Sequence, residues 1–218
     1  MPVGSCFDLA DKLQFSAFSD PVSLQTLLST YCRLGFSAKD RLSLGVKLAS
    51  SVIQLHQTWW LNTSWGKRDI VFFADPQTRD PLMAKPMVQH DLNSSPTILP
   101  PAQRQDVTCP KTKILFSLGV VLCELWLWRR LEDFCPDADP DSKLDYVHWS
   151  DNIKLLGIAT LAYKNLQADA PPKYCEAVGA CFFDNIPAES QEFTIAVWRK
   201  VVSPLEELLR LGNELGAF

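Results

Sequence analysis

The chain has 218 residues, 47% hydrophobic and 21% charged, a composition that supports one buried core of ordinary size. Its net charge is −4 and its pI is near 5.4, and its adjacent basic pairs are Lys67-Arg68, Arg129-Arg130 and Arg199-Lys200. A duplex-binding domain carries a basic excess, so the balance argues against a nucleic-acid partner.

Residues Pro21 to Thr30, "PVSLQTLLST", read as a short helix with Asp20 as cap and Pro21 at its first position. The segment before it, residues 1–20, is expected to be an N-terminal extension to a single domain over 21–218. It lacks the basic start and apolar stretch of a secretory signal, and Gly4 is misplaced for myristoylation. A longer helix is predicted from Ser37 to His56, with Ser37 capping and Asp40 completing a capping-box variant. Leu42, Val46, Ala49 and Ile53 recur at helical spacing and define its buried face.

An aromatic, turn-like stretch containing Trp59, Trp60 and Trp65 follows. "DIVFF", Asp69 to Phe73, is rich in branched and aromatic residues and predicts a strand; "PLMAKPMV" predicts a second, joined through "DPQTRD". Gln89 to Lys113 shows no periodicity and several prolines, the mark of a long irregular loop.

Ile114 to Trp128, "ILFSLGVVLCELWLW", is apolar on nearly every side. Fifteen helical residues span about 22 Å, short of a hydrocarbon core of about 30 Å. Glu124 inside the run would be costly in lipid. The segment is therefore read as a buried central helix reaching about Leu131, with no membrane span. The following "EDFCPDADPDSK" alternates carboxylates but lacks the glycine and closing glutamate of a calcium loop, so it is read as solvated loop. Further helices are predicted from Asp151 to Leu166, after Pro171-Pro172, and from Glu189 to Leu215. In the last, Ser203, Pro204 and Glu206 form a second capping-box pattern and predict a kink or restart. Leu205, Leu208, Leu209 and Leu215 supply its apolar face.

Seven cysteines, none at CxxC spacing, predict free thiols; Cys175 and Cys181 read as buried thiols, not nucleophiles. His56, His90 and His148 lack the spacing of a metal site, and none is predicted.

Two segments carry a resemblance. "LASSVIQLHQTWWLNTSWGKRDIVFF" resembles the helix, catalytic loop and strand of a protein kinase. "LFSLGVVLCELWLWRRL" resembles the buried helix of the same lobe, with Ser117, Gly119, Leu122 and Glu124 on its pattern. Together they are similar to the kinase-like domains of unknown function that accompany fungal HeLo and prion-inhibition-and-propagation proteins, over roughly residues 22–212.

The resemblance implies a mainly α fold: a helical bundle like an isolated kinase C-terminal lobe, with one small two-stranded β element. It also implies departures from an active kinase. With Asp69 in place of the pattern's Asn, its His, Arg and catalytic Asp fall on Asn62, Thr63 and Ser64. Ile114 replaces the Asp that opens the buried-helix pattern, D-F-G is missing, and no GxGxxG loop is present.

The expectation is a catalytically inactive, cytoplasmic, pseudokinase-like scaffold in fungal signalling or cell death. It would have a protein partner and no cofactor, and a small-molecule ligand is conceivable. The candidate partner groove is Trp59, Trp60, Trp65, Trp126 and Trp128. The alternative is a transferase-like enzyme of fungal secondary metabolism that reuses the cleft, with Lys67, Arg68, Asp69, Asp75 and His90 as candidates. A third reading makes the chain one segment of a larger receptor.

Overall fold

The computed structural model describes residues 21–30, 36–58, 61, 65–73, 85–89, 110–134, 152–187 and 190–214. In chain order they form β1 (Val22–Ser23), α1 (Leu24–Thr30), α2 (Ala38–Leu55), β2 (Ile70–Phe72), β3 (Met87–Val88) and α3 (Pro110–Leu127). A 3-10 turn (Leu131–Phe134), α4 (Asn152–Asp169), α5 (Pro172–Phe183), α6 (Ser190–Val197), a π segment (Trp198–Val202) and α7 (Ser203–Glu214) follow. The fold is mainly helical with one small antiparallel sheet.

The sheet has three strands, not two, in the order β1-β2-β3. Val22 pairs with Phe72 and Ser23 with Val71, while Ile70 pairs with Val88 and Val71 with Met87. Two residues carry no alternation signal; backbone pairing to β2 alone makes Val22–Ser23 a strand. The first helix accordingly starts at Leu24, and Ser23, not Asp20, caps it: its hydroxyl accepts from Thr26 N at 3.2 Å. Ile70, Val71 and Phe72 are all buried, as expected for a central strand covered on both faces.

Helix α2 begins on the predicted capping box. Ser37 Oγ accepts from Asp40 N, and Asp40 accepts in return from Ser37 N, both at 3.1 Å. Its buried face runs through Leu42, Gly45, Leu48, Ala49 and Val52, while Val46 and Ile53 lie at the edge. The face is thus rotated from the predicted one, because Gly45 lets α2 approach α3: a Cβ there would lie 3.1 Å from Leu122 Cδ2.

Helix α3 is the hub, packed against α2, α4 and α5, with Leu118, Leu122 and Leu125 fully buried. Tyr174 of α5, also fully buried, donates its hydroxyl to Leu122 O at 2.8 Å. The helix starts at Pro110, inside the stretch expected to be loop, and stops at Leu127. Trp128 takes a left-handed conformation, φ 50°, and Arg129 N donates to Glu124 O at 3.2 Å. This is a Schellman ending with tryptophan where glycine is usual; burial of the indole against Phe36, ring centroids 4.5 Å apart, holds it there. Arg41 is buried, donates to Trp126 O and covers that indole at 5.1 Å, so the helix end is capped from α2.

The C-terminal run does not restart at a cap. Ser203 is helical, φ −57° and ψ −44°, and its N–H reaches back to Trp198 O, closing a π turn. Pro204 has no N–H to donate, and the widened turn carries the helix through it instead of breaking it. Phe193, Val197, Val201, Val202 and Leu205 are buried along this run, with Leu208 and Leu209 packed at its margin. Leu215 lies outside the described residues.

Candidate functional site

The Trp65–Asp69 turn lies between α1, the sheet and α3. Gly66 N donates to Asp69 Oδ2 at 2.8 Å and Asp69 N to Gly66 O at 3.0 Å, so the turn closes on itself. Gln25 N donates to Lys67 O at 3.1 Å, and Arg68 Nε to Gln25 Oε1 at 2.7 Å. Of the sequence candidates, Arg68 and Asp69 therefore hold this turn. Asp75, His90, Trp59 and Trp60 lie outside the described residues, as do residues 62–64, on which the kinase resemblance would put the catalytic His, Arg and Asp.

Lys67 turns inward and is 4% exposed. Its ammonium lies 2.5 Å from Glu124 Oε1 and 2.6 Å from Glu132 Oε2. Glu124 Oε1 also accepts from Leu131 N at 2.7 Å, while Glu124 Oε2 is buried without a partner. Burial pushes the Glu124 carboxyl up to about 7; Lys67 pulls it down and Glu132 adds to the rise. The three charges join the turn, α3 and the 3-10 turn across the core. A buried charge persists only when paired, so a lone carboxylate in an otherwise apolar helix was the sequence signal for this arrangement. Glu132 carried no such signal.

Beside the triad is a slot of about 20 Å³, lined by Trp65, Lys67, Phe116, Ser117, Val121 and Glu124 among others. That is room for about one water molecule, far below the roughly 300 Å³ of a small-molecule site. Of the described tryptophans, Trp65, Trp126 and Trp128 are all more than nine-tenths buried; Trp65 lines the slot, and Trp126 packs on Tyr174 with ring centroids 4.7 Å apart. They build the core. Among the described residues the exposed aromatic groups are elsewhere, on Phe183 and Trp198, which sequence periodicity did not single out.

His56 Nδ1 is within 2.7 Å of Ile53 O and its ring packs, tilted, against Phe193 with centroids 4.8 Å apart, a structural role. Cys123, Cys175 and Cys181 are free and buried. Burial pushes the Cys123 thiol up to about 12 and raises those of Cys175 and Cys181, which disfavours the nucleophilic thiolate. Among the described residues no group of three or more His, Cys, Asp or Glu is placed to hold a metal ion, and no helix is long and apolar enough to cross a membrane.

Comparison with curated proteins and with solved structures finds no match. The family profile described as "Domain of unknown function (DUF7580)" matches residues 7–212, nearly the whole chain, and the chain belongs to that family.

Proposed function

We propose that this chain is a catalytically silent, pseudokinase-like interaction module, a scaffold for a protein partner in fungal signalling or cell-death systems, acting in the cytoplasm. The observation that carries the reading is the fate of Lys67. In an enzyme that reused the cleft, this ammonium would face substrate; here it is spent between Glu124 and Glu132. Asp69 is engaged in its own turn and Arg68 on Gln25. Phosphoryl transfer works by positioning phosphates and neutralising developing charge, and these groups are committed to holding the fold. Exposed Phe183 and Trp198, at 53% and 52%, offer the apolar surface that a partner-binding module uses.

Calorimetric titration with ATP and Mg²⁺ tests the reading. The expected result is no binding in the micromolar range; micromolar affinity overturns it.

A further inference from the structure

Two polar atoms of residues that wall the slot have no protein partner. Trp65 Nε1–H and Glu124 Oε2 are both buried without a hydrogen bond, and both residues line the slot beside the Lys67 triad. The other two such atoms among the described residues, His56 Nε2 and Trp126 Nε1, belong to residues that do not line it. Burying a donor or an acceptor unpaired is costly, so native structures pair such atoms with protein or with ordered water. Here one atom is a donor and the other an acceptor. A species that serves both must accept from an N–H and donate to a carboxyl oxygen. A metal cation cannot accept, and the Lys67 ammonium beside the slot opposes it; a simple anion cannot donate, and Glu124 opposes it. The slot's volume of about 20 Å³ suits one water molecule, which does both.

We propose that the slot is a binding site for one long-lived water molecule, which accepts from Trp65 Nε1–H and donates to Glu124 Oε2. The bridge ties the Trp65–Asp69 turn to α3 a second time, beside the direct contact of Lys67 with Glu124. It also gives each oxygen of the buried carboxyl a partner: Lys67 and Leu131 N on Oε1, the water on Oε2. The slot is then filled by solvent that belongs to the fold and is closed to a larger ligand. The assignment stands apart from the interaction-module reading, because micromolar ATP binding would remove that reading and leave the water in place.

The test is magnetic cross-relaxation from water to the Trp65 indole N–H in the full chain, isotope-labelled on tryptophan. The expected result is a cross-peak at the water frequency whose sign reverses between laboratory-frame and rotating-frame experiments, the signature of a bound water. No cross-peak, or one of the same sign in both, which reports proton exchange alone, overturns the proposal. Ser117 also lines the slot, and its hydroxyl could relay exchange. In Ser117→Ala the cross-peak should persist, and its loss overturns the assignment to water. Val121→Ile supplies a second readout, since it adds a methyl group to the slot's lining. Displacing the water should remove the cross-peak and lower the melting temperature by about 2–4 °C, the shift for one lost buried hydrogen bond in a chain of this size. A higher melting temperature would mean that the methyl group fills a dry slot, and overturns the proposal.

Discussion

Lys67 is the residue whose role departs furthest from what its neighbours in sequence suggest. In "GKRD" it has the look of a solvent-facing anion contact, yet it is buried and neutralises Glu124 from 57 positions away. The pair has a defined pH dependence. Glu124 titrates near 7 in the folded protein against an ordinary 4.5. The folded value is the higher, so the native state keeps the proton longer: the group's stabilising contribution is fully present below about 4.5 and is lost as pH rises through about 7. Lys67→Met should therefore cost about 3–5 kcal/mol at pH 8, where an ionised carboxylate is left buried and unpaired. The cost should be clearly smaller at pH 5.5, where Glu124 carries its proton. Urea unfolding at the two pH values measures this; an equal loss at both would show that Lys67 acts by packing alone.

At the scale of elements, the close approach of α3 to α5 rests on Gly119. A Cβ there would lie 2.7 Å from Phe182 Cε1 and 2.9 Å from Cys181 Cβ. Gly119→Ala gains about 1 kcal/mol of helix propensity but overpacks the contact, at about 1–3 kcal/mol. A net loss of about 1 kcal/mol is expected. Gly157 in α4 is exposed, and a Cβ added to it would meet nothing within 4 Å, so Gly157→Ala should stabilise by about 0.5–1 kcal/mol. Thermal melts of the two variants should thus shift in opposite directions. The pattern S-x-G in α3 marked Gly119 as special in the sequence; which helix it met was not written there. Conversely the Ser203–Glu206 pattern is a good cap signal that the structure does not use, because buried Val201, Val202 and Leu205 hold α6 and α7 in one run.

For the whole molecule, the C-terminal run covers both α2 and α5. Phe193, Val197, Val201, Val202 and Leu205 are each buried to within 1% of completely, and each such side chain contributes about 1.5–3 kcal/mol. Together they match the entire stability of a typical domain, about 5–15 kcal/mol. A chain ending at Pro187 should lose cooperative unfolding, as judged by near-ultraviolet circular dichroism during a thermal scan. Retention of a sharp transition would show that α2–α5 fold without the C-terminal run.

The sequence by itself determined the helices, because 3.6-residue periodicity, the Ser37–Asp40 box and Pro172 at the head of α5 are local signals that burial then reinforced. It determined also that "ILFSLGVVLCELWLW" is a central core helix, since its length and its carboxylate decide against lipid. Only the tertiary structure decided the third strand, the rotated face of α2, the π turn at Pro204 and the inward turn of Lys67. Apart from the π turn, which closes between Trp198 and Ser203, each of these depends on a partner distant in the chain: a strand needs a neighbour, a helix face is set by what packs on it, and a buried charge goes to whichever opposite charge the fold brings within reach. The site was legible only to the extent that Glu124, alone among apolar residues, required a cation; which cation, and what lies beside it, was settled by packing.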